Sequence, residues 1–437
     1  MTSNIYVFFK ESFKSFIRSK LFIYPYLKEL ETVAEMSTEE IKHYEDQKFI
    51  KIFRTAYRHS QFYRQLYLKN GIQEDDINGL DDINKLPIIS KKDIQRNSAE
   101  TITTGRLGLI STKTSGTTGA PLKLLFSLKF ILRDYAYIHL YRKRIGCLNS
   151  KIVSIRGNLG RNILKQYVFT NKTLYLSSYN IKSDTCIIYY KLIKKFSPKV
   201  IEGYPSSLYN LALFLKEKQL YLSIPIAFTS SETLFPYQRD LIERIFGTKI
   251  YDIYGNTERT ISLRQNLQSN QYFAPAGYSH FEICEFGLLT TNLNNKTFPL
   301  IRYIVEDKVI PATSNETYDS FYPRSPRMPN IERIEGRCED VIIGIDGTKY
   351  GRLNFLIKGH EKIKVAQIIQ KQIGDILIHV VPDTDYSKED ERSILDSVAE
   401  RIGIDNINCR IIQITESEII YSKNNKFRFV VSLIDDK

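Results

Sequence analysis

Cysteine is scarce and unpatterned. The five residues Cys147, Cys186, Cys284, Cys338 and Cys409 are odd in number, widely scattered and form no C-x-x-C. That excludes a disulfide framework or a zinc ribbon and leaves ordinary reduced thiols. The six histidines, His43, His59, His139, His280, His360 and His379, show no metal-ligand spacing with one another or with cysteine, so no transition-metal site is expected. No apolar run approaches the roughly 18 residues that cross a bilayer. Lys10, Glu11, Lys14, Arg18 and Lys20 interrupt any secretory apolar region, so a cytoplasmic chain is expected. The Walker A spacing is missing, and no G-x-G-x-x-G follows a strand, which excludes a P-loop ATPase and a Rossmann dehydrogenase.

What is present is a chain of 437 residues, 42% hydrophobic and 25% charged, enough to bury a sizeable core in two or three domains. Lysine and arginine number 62 against 49 acids, a net charge of +13, which favours anionic partners without choosing among them. The basic residues form no long block and no groove-reading module, so no nucleic acid is expected. Residues 1–28 concentrate Lys10, Lys14, Arg18, Lys20 and Lys28 against the single acid Glu11. Phe9, Phe13, Phe16 and Ile17 recur there at helical spacing, giving a basic amphipathic helix with an aromatic stripe beside a basic one. Packing that stripe on the rest of the protein is the commoner use of such a helix. The other use is peripheral contact with an anionic membrane surface at the inner face.

Lys151–Ile155, Lys199–Gly203, Ile226–Ser230 and Lys249–Ile253 read as short strands bounded by turn residues. Helical patterns lie between them, one carrying Leu208, Leu211, Ala212 and Leu215 behind a Ser206 cap, another Leu241, Ile242 and Ile245 before Gly247. This alternation predicts an α/β fold. Pro311, Pro323, Pro326 and Pro329 then break the pattern and put a boundary near 337–340. Beyond it, a helix over Glu389–Arg401 and the apolar run Phe427–Leu433 predict a small α+β domain. The expected division is a helix over 1–28, a large domain over 29–337 and a small one over 338–437.

The segment Ser111–Lys123, STKTSGTTGAPLK, crowds hydroxyls and glycines between apolar flanks. Glycines let backbone amides approach an anion and hydroxyls add donors, which suits phosphate, although a flexible turn would read the same. Tyr254-Gly255-Asn256-Thr257-Glu258 follows a predicted strand, where open α/β sheets hold ligands. The segments HSQFYRQLYLKNGI (59–72), LDDINKLPIISKKDI (80–94), EGYPSSL (202–208), SSETL (230–234), PLIRYIVED (299–307), GRCEDVI (336–342) and SKNNKFRFVVS (422–432) complete the set.

In this order the motifs resemble those of the AMP-forming adenylating enzymes. They look most like the phenylacetate-coenzyme A ligase branch and its CapK-type, capsular-polysaccharide relatives, over roughly residues 50–437. The resemblance implies a large adenylate-forming domain with mixed sheets plus a small mobile C-terminal domain. It also implies activation of a carboxylic acid with ATP and Mg2+, releasing pyrophosphate. By that resemblance Ser115, Gly116, Thr117, Thr118 and Gly119 hold the β- and γ-phosphates, with Lys123 a lesser contributor. Tyr254, Ser231 and Glu232 border the adenine, Gly255 and Asn256 belong to the same nucleotide-binding string as Tyr254, Thr257 meets the α-phosphate and Glu258 binds magnesium. Asp307 and Arg337 contact the ribose, 337–340 is the hinge, and Lys426 is the catalytic lysine, with Lys423 its rival. Asn425 stands where the family has glycine, and Glu306 precedes Asp307 where glycine is common. Tyr204, His280 and Phe281 are candidates for the acid pocket. The acyl acceptor implied is coenzyme A, an amine or a sugar hydroxyl. The alternative is a catalytically silent homologue acting as a basic nucleotide- or membrane-binding protein.

Overall fold

A computed structural model describes all residues except 1, 18–19, 115–121, 157–158, 160–162, 233, 235, 267, 314–321, 337–340, 352, 358–359, 361, 383–384, 404, 421–428 and 435–437. Near the N-terminus lie helices α1 (Thr2–Ile17), α2 (Lys20–Val33), α3 (Thr38–His59) and α4 (Gln61–Lys69). Ser37 and Glu40 form a capping box that starts α3, and Ser60 both ends α3 and caps α4.

Strands β1 (Ile110–Lys113) and β2 (Lys123–Phe126) form a hairpin. The centre is built from β3 (Ile152–Arg156), β4 (Lys165–Val168), β5 (Thr173–Ser177), β6 (Val200–Gly203), β7 (Ile226–Ser230) and β8 (Lys249–Gly255). Of these, β5, β3, β6, β7 and β8 run parallel in that order. Antiparallel β4 closes one edge. On the other side β9 (Ser262–Gln265), β10 (Tyr272–Phe273), Ile331–Gly336 and Lys308–Pro311 extend the sheet to ten strands.

Alternation of side chains explains why helices cover both faces. Ile201, Ala227 and Ile250 face the helices Cys186–Phe196, Pro205–Glu217 and Pro236–Phe246. Their neighbours Val200, Ile226 and Phe228 face α2 and the helix Leu128–Arg144. Period-two burial on two sides is what the near-continuous apolar strands require. A three-stranded sheet (Ser279–Cys284, Gly287–Asn292, Tyr303–Val305) shares a third core with α3 and α4. The C-terminal part is a separate four-stranded sheet packed on the helix Lys388–Arg401. The fold is therefore mixed α/β, with a large N-terminal part and a smaller C-terminal sheet, as the sequence predicts.

Within the expected N-terminal helix the described residues are helical on both sides of 18–19, as α1 (Thr2–Ile17) and as α2, which continues through Pro25 to Val33, and residues 18–19 lie outside the described residues. Two local expectations are corrected. The aromatic stripe does not pack inward, because Phe9, Phe13 and Phe16 are 66%, 64% and 60% exposed. Ser206 does not cap the 205–217 helix, which begins at Pro205 after Tyr204 with no side-chain cap of its own. The four cysteines among the described residues, Cys147, Cys186, Cys284 and Cys409, are free, with Cys147 and Cys186 buried; Cys338 lies outside them.

Gly203, at the end of β6, shows how tightly the sheet meets its helices. A Cβ there would sit 2.8 Å from the Ile155 carbonyl oxygen and 2.9 Å from Leu208 Cδ2. Gly203→Ala is expected to destabilise by about 1–3 kcal/mol, read as a lowered denaturation midpoint in urea.

Candidate active site

The carboxyl ends of β3, β6, β7 and β8 converge, which in open α/β sheets is where ligands bind. At the end of β8, Tyr254 donates its phenolic hydrogen to Asp307 Oδ2 at 2.6 Å. Asp307 lies between the strands Tyr303–Val305 and Lys308–Pro311, so residues 53 positions apart meet. Past β8, Glu258 Oε1 accepts from the Tyr303 hydroxyl at 3.3 Å. Two residues expected from the sequence, Tyr254 and Asp307, are thus brought together. A third, Glu258, is tied to a partner the sequence did not reveal, Tyr303.

Asn256 serves its own loop. Its amide donates to Thr260 Oγ1 at 2.7 Å and accepts from the Thr260 amide at 2.9 Å. This clip holds the loop that exposes Thr257, and Arg259, at φ +56°, is fixed beside it by Asp134 at 2.9 Å. The Arg259 guanidinium stacks over Phe126 at 5.2 Å, so the β1–β2 hairpin packs next to the loop. At the base of that hairpin the Thr114 amide donates to the Leu122 carbonyl at 3.0 Å, and the Leu122 amide donates to Thr114 Oγ1 at 2.9 Å. The turn it closes, with Ser115, Gly116, Thr117, Thr118 and Gly119, lies outside the described residues. Lys123 is exposed at the start of β2.

The expected adenine segment is differently engaged. Ser231 is exposed with φ +74°. Glu232 Oε2 accepts from the Ser206 amide at 3.0 Å, placing a carboxylate on the positive end of the 205–217 helix. A Cβ on Gly351 would lie 3.8 Å from the same carboxylate, so the C-terminal part of the chain approaches here. Arg337, the 337–340 hinge, Lys423, Asn425 and Lys426 lie outside the described residues.

The N-terminal motifs act as braces. Tyr63, on α4, donates to the Pro299 carbonyl and accepts from the Ile301 amide, both at 3.0 Å. Arg302, at φ +52°, makes a fork–fork pair with Glu282 and reaches the Leu86 carbonyl at 2.5 Å. Ile89 exchanges backbone bonds with Arg302 and Ile304. The segments 59–72 and 80–94 therefore hold the strand that delivers Tyr303 and Asp307. Beneath them, buried Asp252 accepts from Thr229 Oγ1 at 2.5 Å and from the Tyr272 hydroxyl at 2.6 Å. Burial pushes its carboxyl pKa above the usual range, against those hydrogen bonds. No role was expected of Asp252, Tyr272, Tyr63 or Arg302, although Tyr63 and Arg302 lie within the quoted segments 59–72 and 299–307.

Of the acid-pocket candidates, Phe281 is core, 3% exposed, and Tyr204 precedes the 205–217 helix. His280 is held neutral by burial, its pKa pushed down to about 4, with Arg327 and Arg302 lowering it and Asp81 opposing. Among the described residues no group of three or more His, Cys, Asp or Glu side chains would hold a metal unaided. The lone carboxylate of Glu258 fits a magnesium ion whose other ligands are phosphate and water oxygens.

Residues 346–433 match the CapK C-terminal domain family. Protein CapK of Staphylococcus aureus is 26% identical over 364 residues, covering 79% of each chain. Spore photoproduct lyase of Geobacillus sp. (strain Y412MC61) is 29% identical over 184 residues, covering 38% of this chain and 51% of that protein, too short a stretch to carry its activity across. Among solved structures, a 2-hydroxyisobutyryl-CoA ligase in complex with 2-HIB-AMP and CoA superposes with a TM-score of 0.58 at 15% identity, covering 91% of each chain. The chain is similar to CapK in sequence over most of its length, and its fold is that of the 2-hydroxyisobutyryl-CoA ligase.

Two outcomes follow from the braces and from His280. Tyr63→Phe strands the buried Ile301 amide and is expected to cost about 1–3 kcal/mol in chemical denaturation. Because the His280 pKa is lower folded, at about 4, than unfolded, near 6.5, the unfolded chain takes the proton first. His280 therefore contributes no penalty above that unfolded value and a growing one as pH falls towards the folded value. His280→Gln should flatten the fall of the thermal midpoint across that window.

Proposed function

We propose that the chain is an ATP- and magnesium-dependent, AMP-forming acid ligase. The observation that carries this reading is the hydrogen bond between Tyr254 and Asp307, which joins the end of β8 to the loop before Lys308–Pro311 beside the β1–β2 hairpin. In the reaction a carboxylate oxygen of the acid attacks the α-phosphorus of ATP. The bond from that phosphorus to the pyrophosphate oxygen breaks, leaving acyl-AMP and pyrophosphate. An acceptor nucleophile then attacks the acyl carbon, and AMP leaves with the carbon–oxygen bond electrons.

Asp307 suits the ribose, because one carboxylate accepts from two hydroxyls, and Tyr254 keeps it oriented. Ser115, Gly116, Thr117, Thr118 and Gly119 bind the β- and γ-phosphates, Tyr254, Ser231 and Glu232 border the adenine, and Thr257 donates to the α-phosphate. Magnesium held by Glu258 would neutralise phosphate charge. Arg337 adds a ribose contact. Lys426 bridges the acid carboxylate and the α-phosphate, where charge develops during attack. The acceptor is coenzyme A, an amine or a sugar hydroxyl. The CapK resemblance supports a role in surface polysaccharide biosynthesis, with acyl decoration of a sugar.

The test is acid-dependent pyrophosphate release with ATP and Mg2+ across a panel of carboxylic and amino acids, followed by acceptor-dependent AMP release. Lys426→Ala is expected to lower the first rate by about 100-fold or more. Asp307→Ala should raise the KM for ATP by roughly 10-fold or more, the worth of hydrogen bonds to a charged group. A folded chain that binds ATP and releases no pyrophosphate with any acid would instead be a silent nucleotide-binding homologue.

A further inference from the structure

Helix α1 is mounted with its aromatic side outward. Its inner side consists of Phe8, 5.4 Å from Phe169, and of Glu11, 7% exposed, which accepts from the Tyr175 hydroxyl at 3.3 Å. Ser12 and Ser15 join it, bonded to Thr170 at 3.2 and 3.4 Å. These contacts fasten α1 to the turn after β4 and to β5, at the edge of the ten-stranded sheet. The outer side is Phe9, Phe13 and Phe16, each at least 60% exposed. Ring contacts continue the strip: Phe8 to Phe9 at 5.6 Å and Phe16 to Phe22 at 5.2 Å. Phe169 adds a ring that is 63% exposed.

Charge says what this strip meets. The only acid in residues 1–28 is Glu11, and it points inward, so no carboxylate accompanies the phenylalanines. Lys10 and Lys14 each follow a stripe phenylalanine by one residue, about a quarter turn further round the helix, and Arg18 and Lys20 come directly after α1. Lys165 and Lys172 are exposed on either side of Phe169. A protein surface of ordinary composition would not ask for three bare phenylalanines among cations and no anion. The headgroup region of an anionic bilayer asks for both, apolar rings below and lysines at the phosphates. None of the described helices is long and apolar enough to cross a membrane, so contact is by lying on it.

We propose that α1, with Phe9, Phe13, Phe16 and the flanking Phe22 and Phe169, docks the protein on an anionic lipid surface. This does not depend on the ligase reading. The chain contains no tryptophan, so Phe13→Trp gives a single reporter in the centre of the stripe. With vesicles of phosphatidylcholine plus phosphatidylglycerol its emission should shift to the blue and intensify, and with phosphatidylcholine alone it should not. In sedimentation of the unmodified full chain, binding should fall with added salt, and Phe9→Ser/Phe13→Ser/Phe16→Ser should weaken it about 10-fold or more. Lys10→Gln/Lys14→Gln should weaken it while leaving the thermal midpoint in place. Absence of vesicle binding, or binding unchanged in the triple variant, overturns the proposal. So does a dimer in solution that the triple variant dissolves while lipid has no effect, since the stripe would then serve a second copy.

Discussion

Everything on the far side of the site hangs on the conformation of one arginine. Arg302 adopts φ +52°, a region that costs a non-glycine residue of order 1 kcal/mol or more, and the surroundings determine it several times over. Its guanidinium takes both oxygens of Glu282 and the carbonyls of Asn84 and Leu86. Its amide donates to Thr291 Oγ1 and its carbonyl accepts from Ile89. A planar fork with fixed, spread donors suits this task, where the compact ammonium of lysine could not pair both carboxylate oxygens in the same geometry and span the two carbonyls. With Arg302 set, Tyr303 reaches Glu258 and the chain arrives at Asp307 in position for Tyr254.

Buried charges in this protein divide between architecture and site. Asp252 joins β7, β8 and β10 through Thr229 and Tyr272, and Glu45 accepts from the Gly277 amide and Ser325 Oγ. Burial raises both carboxyl pKa values, as expected where desolvation outweighs neutral donors. Such groups fix register and connection. Glu258 and Asp307, by contrast, are only partly buried, beyond strand ends, each accepting from a tyrosine hydroxyl.

How much of this was legible follows from the range of each interaction. The strands β6, β7 and β8 could be read because their apolar runs and bounding turns are local, and the Tyr254 to Glu258 string because it is contiguous. Tyr63 and Arg302 could not, since the first pairs with Pro299 and Ile301 more than 230 positions away and the second needs a positive φ that nothing in PLIRY announces. Ser206 failed as a cap because the preceding Tyr204-Pro205 already starts the helix and a distant carboxylate, Glu232, takes the Ser206 amide. For α1, periodicity showed an aromatic stripe and a basic stripe but not which side faces inward. The answer ran against the usual rule because Glu11, Ser12 and Ser15 find specific partners on Tyr175 and Thr170, while Phe9, Phe13 and Phe16 stay exposed.

The sheet also sets the distance between the two surfaces. From β8, where Tyr254 sits, to edge strand β4, beside which α1 lies, there are five strand spacings, or about 24 Å. On its other side the sheet curls back, which is how Asp307, beside a strand four places from β8 in the sheet order, still reaches Tyr254 at 2.6 Å. The antiparallel strands thus wrap towards the site while the parallel strands carry α1 away from it. An edge strand with open backbone groups invites pairing with other chains, and α1 lies next to that edge, bonded to Thr170 in the turn after β4 and to Tyr175 on β5. The same helix that lies beside β4 is therefore the one left with its apolar side to solvent, because the side chains that bond Thr170 and Tyr175 are the serines and Glu11, not the phenylalanines.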